Sequence, residues 1–506
     1  MDFKITNYSV TSEQLCLEQT AELPIDTDFT VPDYSGEICK IIRCEVKSFA
    51  SSKHISGNTL TVEGDAVLTV IYADNNSNVF SAVQEIPFKK IFETSKNLDG
   101  GFCDVTFEGM VHSCRAVTER RISIKASVKI NAKVTLSEKT EIITDIDNSC
   151  FETFCGEAGI TTPLGTAQKL IIIDEELTLP QNAPAAMRII RTDSSATVTD
   201  CKIIVGKVIV KGNLKADILY CTGENLLQKE CFNIPFNQIL DIPEINENCE
   251  CEAKVAICGL NITPRTNNDG ECKTFMLIAK LEVTANARCS STVPVIFDLY
   301  STKFKTEPKL NEVRFTKIIK QVNETFLCKK ALTLPEADSE VLDLWCNIGG
   351  VMAKCENEKI TLFGSLTASA LYKNADNDIG IFEKVIDFEY PIDLDGHAKM
   401  PVCRPEIKVI SCSHAAVGGN TELSVELLVN ATVYDSLSLS LITDITVDEN
   451  ENILNKSALV AYYADRGENV WEICKSFSAK RNELMEINHL TEDILQSPKM
   501  LIIPLM

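Results

Sequence analysis

Long stretches of the chain alternate apolar and polar residues with a period of two. The clearest runs are 122–132, 277–285 and 423–431, where Ile, Leu, Val or Ala stands at every second position. Because successive side chains of a strand point to opposite faces, each run predicts a long β-strand with one buried face. Shorter Val, Ile and Thr runs between them are broken by Asp-Asn, Gly-Gly or Pro, which is typical of hairpins. The pattern predicts a mainly β chain up to about residue 445.

Three landmarks recur along the chain with constant spacing. A tyrosine follows a glycine by eight residues, and a phenylalanine follows that tyrosine by sixteen. The members of the three copies are Gly64, Tyr72 and Phe88; Gly212, Tyr220 and Phe236; and Gly364, Tyr372 and Phe388. We interpret each glycine as the site of a bulge or a close backbone approach, and each tyrosine as a partly buried ring hydrogen-bonded at its tip. The repeat length of about 150 residues predicts three copies of one structural unit.

The repeats and the change of pattern near the C-terminus predict the domain organisation. We expect three tandem β-sandwich-like or barrel-like domains, each with its own core, followed by a small βααβ domain. The predicted boundaries are 1–150, 151–305 and 306–445 for the β domains, 446–457 for an acidic linker and 458–506 for the last domain.

The periodicity changes from two to 3.6 in this last segment. Asn469 is placed to cap a short helix that contains Val470 and Trp471, and a second helix is predicted to close near Asn488. Short apolar strands precede and follow the two helices. Trp471 suits either packing in the core of this segment or contact with a partner, whereas His489 is expected to be exposed after the second helix.

The charge and cysteine content narrow the classes of function. The net charge of −23 and the absence of a basic cluster argue against nucleic acid and against an anionic membrane surface. The sequence has no apolar run of about 18 residues and no signal-peptide pattern at its start, which favours a cytoplasmic protein without membrane insertion. In that compartment the 21 cysteines are expected to be reduced and mostly buried as small hydrophobic residues.

The sequence contains none of the common signatures of nucleotide, metalloprotease or serine-hydrolase sites. The pairs His112 with Cys114 and Cys412 with His414 look like metal ligands, but the histidine lies on opposite sides of the cysteine in the two copies. We therefore predict no catalytic residue, no metal and no cofactor, and a protein that is not an enzyme.

Residues 458–506 resemble a LysM domain. The resemblance is carried by Tyr463, Gly467, Trp471, Ile473, Leu484, Asn488, Leu501, Ile503 and Pro504, while Glu468-Asn469 replaces the usual Asp-Thr of the first turn. It implies a groove that binds N-acetylglucosamine polymers in the family, although a LysM fold can also recognise protein. The groove residues implied are Gly467, Glu468, Asn469, Val470, Trp471, Asn488, His489 and Leu490.

Three β repeats followed by one LysM segment resemble the SPOCS-domain family of spore coat morphogenetic proteins, of the SipL-like clostridial type. The resemblance implies a non-enzymatic scaffold in the mother-cell cytoplasm that is recruited to the forespore surface and the spore coat. Its LysM end would dock on a morphogenetic ATPase that coats the forespore, and its β domains would contact other coat proteins. The alternative is a cell-wall protein that binds peptidoglycan or N-acetylglucosamine through the LysM domain.

Overall fold

Antiparallel β-strands make up almost the whole chain, as the alternating pattern predicts. The computed structural model describes residues 4–147, 150–332, 339–356, 359–376, 378–394, 398, 400–417, 420–452 and 459–504. We group the strands as the first strand set (β1–β6), the second (β7–β12) and the third (β13–β18), and call β19, α1, α2 and β20 the C-terminal module.

The strands of each strand set have closely similar lengths from one set to the next. The first comprises β1 (Lys4–Thr30), β2 (Lys40–Ser56), β3 (Thr59–Ala73), β4 (Val79–Glu93), β5 (Phe102–Thr118) and β6 (Arg121–Asp147). The second comprises β7 (Phe151–Thr178), β8 (Ala186–Ile204), β9 (Lys207–Thr222), β10 (Leu227–Asp241), β11 (Glu250–Thr266) and β12 (Cys272–Ser301). The third comprises β13 (Phe304–Leu332), β14 (Glu340–Glu356), β15 (Lys359–Lys373), β16 (Ile379–Asp393), β17 (Pro401–Val417) and β18 (Asn420–Asn452).

The three strand sets pair their strands in the same order. The second, third and fourth strands form one layer (β2-β3-β4, β8-β9-β10 and β14-β15-β16), and the first, sixth and fifth form the other (β1-β6-β5, β7-β12-β11 and β13-β18-β17). In the second strand set a single pair, Cys272 with Ala186, joins the two layers into one sheet. No sheet among the described residues closes into a barrel, so the barrel-like alternative is not supported.

The two layers of each strand set bury their apolar faces against each other. In the first strand set, Leu60 and Val62 of β3 share a core with Val128 and Ile130 of β6, and all four are fully or almost fully buried. Alternation of apolar and polar residues on these central strands thus produces one inward face, as a period of two requires.

The recurring glycines lie where two neighbours leave no room for a side chain. Gly64 pairs with Ala50 beside a β-bulge of β2 and with Phe88 of β4 on the other side. A Cβ atom at Gly64 would clash with the Phe49 carbonyl oxygen and lie 2.8 Å from Cζ of Phe88. Gly212 and Gly364 are likewise paired opposite a phenylalanine and beside a register shift. The recurring phenylalanine is therefore the ring that covers the glycine.

The recurring tyrosines are buried more deeply than we predicted in two of the three copies. Tyr72 and Tyr220 are completely buried, whereas Tyr372 is only partly buried. The side chains just before them, Ile71, Leu219 and Leu371, point the other way into a cluster shared by all three strand sets. Each strand set thus has a core of its own, but this shared cluster joins the three sets, so they are not independent as expected from sequence.

A second shared cluster joins the strand sets through the first and last strands of each. Ile142 of β6, Val295 of β12 and Leu441 of β18 are buried together there. These strands are much longer than one layer requires, and their extra length supplies the apolar surface that the three strand sets bury against one another.

The C-terminal module has the predicted order strand, helix, helix, strand. It consists of β19 (Leu459–Ala464), α1 (Val470–Phe477), α2 (Arg481–Ile487) and β20 (Lys499–Pro504). The preceding strand β18 continues to Asn452, so residues 446–452 of the predicted acidic linker are strand. Residues 453–457 of that linker lie outside the described residues. No helix in the described part of the chain is long and apolar enough to cross a membrane.

Candidate functional site

The two loops that the sequence predicted to border a groove lie side by side in the C-terminal module. Gly467, with a φ of +92°, donates its backbone N–H to the Leu495 carbonyl at 2.8 Å, and the Leu495 N–H donates to Glu468 at 3.0 Å. The N–H of Val470 donates to the Asp493 carbonyl at 2.8 Å. The two loops are therefore tied to each other by backbone hydrogen bonds, and these backbone groups have their partners within the module.

Asn469 and Glu468 have structural partners within the module. The Asn469 side chain accepts the N–H of Trp471 at 2.8 Å and so caps α1 as predicted, because the first amides of a helix lack partners within it. Glu468 accepts a hydrogen bond from the Tyr462 hydroxyl at 3.1 Å, and this bond raises the pKa of that hydroxyl.

Three further residues of the predicted groove are buried or half-buried within the module. Val470 is completely buried, and Leu490 is half-buried against the same apolar cluster. Asn488 is buried: its amide nitrogen donates to the Leu484 carbonyl at 2.8 Å and the Ile502 carbonyl at 2.7 Å, and its oxygen accepts the Ile502 N–H at 2.7 Å. Asn488 thus fastens α2 to β20 and is not an open binding residue.

Trp471 is also not an open groove residue, since it lies between the C-terminal module and the second strand set. It is only 5% exposed, and its indole Nε1 donates to Asp298 of β12 at 2.8 Å. Its ring centre lies 5.0 Å from that of Tyr300 and 5.4 Å from that of Phe154. Of the two roles left open by the sequence, packing is the one observed, and the packing partner is a strand of the same chain.

Two further bonds complete this junction. Lys475 of α1 places its Nζ 2.7 Å from an Asp298 carboxylate oxygen, and the Tyr300 hydroxyl donates to the Ala479 carbonyl at 2.7 Å. Burial raises the pKa of Tyr300, which therefore stays protonated as a donor. The sequence offered no sign that Asp298 is the counterpart of Trp471, because the two residues are far apart along the chain and no local pattern links them.

The outer face of the module's two-stranded sheet is an exposed apolar surface. Tyr463 of β19 pairs with Met500 of β20, and these side chains are 68% and 62% exposed. Leu459 and Ile502 are exposed on the same two strands, and we call these four residues the apolar face. His489 is exposed, as predicted, with a φ of +50°. The apolar face was missed from sequence, although the apolar residues at alternate positions of β19 are the signal that could have indicated it.

The junction between the strand sets holds a cluster of charges. Arg191 of β8 lies 2.8 Å from Asp193, 3.4 Å from Glu45 of the first strand set and 3.4 Å from Asp343 of the third. Lys229 of β10 also reaches Asp343, at 2.7 Å. Arg191 and Asp343 are buried, the other members are half-buried, and all of them are paired, so the cluster joins three parts of the chain.

Asp193 shows how strongly this cluster depends on pairing. Burial acts to raise its pKa, but Lys47 and Arg191 outweigh burial and hold the pKa below its ordinary value. Lys47 approaches Asp193 to 2.6 Å from the first strand set, so this carboxylate also joins two strand sets.

A cavity of about 790 Å³ lies next to the charge cluster. Its walls come from all three strand sets and include Lys53 of β2, Lys215 of β9 and both Cys346 and Cys412 of the third. Its lysines are paired: Lys53 contacts Glu282, and Lys215 lies 3.6 Å from Asp217. The described residues contain no group of three or more histidines, cysteines, aspartates or glutamates that could hold a metal ion.

The cysteines are free thiols, and fewer are buried than we predicted. Seven of the 21 are buried, ten are half-buried and four are exposed. The Sγ of Cys412 lies 3.1 Å from that of Cys346. His112 hydrogen-bonds the Ser127 hydroxyl through Nε2 at 2.9 Å.

One comparison with known families gives a match. A family model described as the SPOCS domain of SipL matches residues 37–118 and 185–264. The two matched segments run from the region before β2 through β5, and from β8 into β11, and they contain Gly64 with Tyr72 and Gly212 with Tyr220. No curated protein and no solved structure matches the chain.

Proposed function

Since the chain is a SipL-like SPOCS-domain protein related to sporulation, we propose that it is a non-enzymatic scaffold of endospore envelope assembly. In this proposal the strand sets form the body of the scaffold and the C-terminal module docks on a morphogenetic ATPase that coats the forespore. The observation that carries the proposal is the SPOCS match over corresponding stretches of the first two strand sets.

We further propose that the chain consists of three tandem SPOCS-like domains and one LysM domain. The matching order of strand pairing supports a third SPOCS-like domain in residues 306–445, where Gly364 lies opposite Phe388 as Gly64 lies opposite Phe88. The order β19, α1, α2 and β20, with Asn469 at the cap of α1, supports the LysM assignment.

The apolar face is the docking surface we assign to the module. Its loops are bonded to each other and Trp471 is engaged by β12, whereas the outer face of β19 and β20 presents exposed apolar side chains to a partner. Exposed aromatic and methionine side chains of this kind are typical centres of protein interfaces. The β domains would present further surfaces to other coat proteins, and the protein would act from the mother-cell cytoplasm at the forespore surface.

The test is binding of the purified full chain to the purified coat ATPase by biolayer interferometry. Tyr463→Asp is expected to weaken binding by at least about tenfold, because it places a charge at the centre of the apolar face. Met352→Asp is the matched control: Met352 is 73% exposed on β14 of the third strand set, outside the module, and its replacement should leave affinity unchanged. Equal affinities for the two variants would contradict docking through the apolar face.

A calorimetric titration with N-acetylglucosamine oligomers addresses the glycan-binding alternative. Binding of the oligomers with no measurable affinity for the ATPase would overturn the scaffold proposal in favour of a peptidoglycan-binding protein. The expected result is weak or absent oligomer binding, because Glu468-Asn469 replaces the Asp-Thr of the usual LysM turn.

A further inference from the structure

Two cysteines from opposite layers of the third strand set meet at the wall of the large cavity. Cys346 belongs to β14 and Cys412 to β17, and these strands lie in different sheets. Their sulfur atoms are 3.1 Å apart, so closing a disulfide at about 2.05 Å requires a shift of only about 1 Å. Both residues are half-buried and line the cavity of about 790 Å³.

The other two strand sets have thiol pairs between the corresponding strands. The Cys44 thiol of β2 and the Cys114 thiol of β5 are neighbours in the first strand set, as are the Cys201 thiol of β8 and the Cys251 thiol of β11 in the second. Cys201 and Cys251 line a second cavity, of about 310 Å³. A thiol pair between the two layers of every strand set is hard to reconcile with cysteines that serve only as small apolar residues.

We propose that Cys346 and Cys412 are a dithiol modification site that a small disulfide oxidant converts to a disulfide, linking the two layers of the third strand set. The cavity gives a small molecule access to both sulfurs without unfolding. The bond would join β14 to β17 across a loop of 66 residues, a length at which a crosslink strongly restricts the unfolded chain.

The reaction is a double thiol–disulfide exchange. The hydrogen bond with Cys412, followed by burial, raises the pKa of the Cys346 thiol, so we assign Cys346 as the resolving thiol. The Cys412 thiolate attacks one sulfur of the oxidant, whose S–S bond breaks and releases one small thiolate. The Cys346 thiolate then attacks the Cys412 sulfur, forming the protein disulfide and releasing the second small thiol. Two protein thiols are oxidised, one small disulfide is reduced to two thiols, and both protons pass to those products.

The experiment treats the native full chain with 2-hydroxyethyl disulfide, a small neutral oxidant, and then alkylates the remaining thiols. Peptide mass spectrometry is expected to find Cys346 and Cys412 in one linked peptide, lost again after dithiothreitol. Hydrogen exchange in β14 and β17 is expected to slow on oxidation, since the bond ties these strands together.

Single replacements separate this site from general thiol reactivity. Cys346→Ala removes the resolving thiol and should trap the oxidant as a mixed disulfide on Cys412. Cys355→Ser removes an exposed cysteine of the same strand and should leave the linked peptide intact. Alkylation of both Cys346 and Cys412 after native oxidation, or linkage only in denaturant, would overturn the proposal.

Discussion

Replacing Asp343 by Asn tests whether the three strand sets are held together by the buried charge cluster. The Asp343 side chain is 1% exposed, and its two oxygens meet Lys229 at 2.7 Å and Arg191 at 3.4 Å, both in the second strand set. Asparagine keeps the shape, and its amide oxygen can still accept the Leu344 N–H that Asp343 accepts at 2.8 Å. The substitution therefore removes one charge and replaces the oxygen that faces Arg191 by an amide nitrogen, which cannot accept its hydrogen bond.

The expected cost follows from which partners the two cations keep. Breaking a buried ion pair by removing one member costs about 3–5 kcal/mol. Arg191 keeps Asp193 at 2.8 Å, and Lys229 keeps Asp217 at 3.4 Å, so the low end of that range applies. We expect the free energy of unfolding to fall by about 3 kcal/mol.

In calorimetry, this loss of unfolding free energy appears as a lower Tm, and the shift depends on how many residues unfold together. With an unfolding entropy of about 2.1 cal/mol/K per residue, about 3 kcal/mol lowers the Tm by about 3 °C if the whole chain unfolds together. The shift is about 10 °C if a single strand set of about 150 residues unfolds alone. The shared clusters around Ile71 and Ile142 predict the smaller shift and one transition.

Hydrogen exchange tests whether Asp343 stabilises the second strand set. Although Asp343 belongs to the third strand set, exchange should quicken in β8 and β10 of the second, where Arg191 and Lys229 lie. Unchanged exchange there would mean that the strand sets are energetically separate. Asp241→Asn is the control, because Asp241 is an exposed partner of Lys207 and surface pairs contribute little.

Three other predictions concern the repeat glycine, the module junction and acid stability. Gly212→Val should lower the free energy of unfolding, measured by denaturant titration, by about 1–3 kcal/mol. The control is Gly223→Val: this glycine has open space around it, and its replacement should change the free energy of unfolding by less than about 0.5 kcal/mol. Asp298→Ala should speed hydrogen exchange in α1 and leave the strand sets protected, because it removes the acceptor that Trp471 and Lys475 share. Unchanged exchange in α1 would argue against this junction. The pKa of Asp193 is lower in the folded protein, so its contribution to stability is complete above its unfolded pKa of about 3.9 and is lost as the pH falls further. Asp193→Asn should therefore make the free energy of unfolding fall less steeply at acid pH. An unchanged dependence on pH would contradict this prediction.

The sequence alone determined the local structure of this protein. Alternation at 122–132 predicted the core of β6, and the 3.6-residue pattern with Asn469 predicted α1, because both depend on neighbouring residues whose spacing sets a buried face. The recurring glycine and phenylalanine were also visible, although their direct pairing was not. Register between strands depends on turns and bulges whose geometry no single residue encodes.

Only the tertiary structure decided how these elements associate. Trp471 suited a core or an interface equally well from its helical position, and the choice depends on Asp298 and Tyr300, which no local pattern connects to it. The burial of Arg191 and Asp343 also depends on the tertiary structure. From sequence, both are expected on the surface, because isolated charges are costly to bury. They are buried because folding brings opposite charges from different strand sets into contact, and that pairing is a property of the assembled chain.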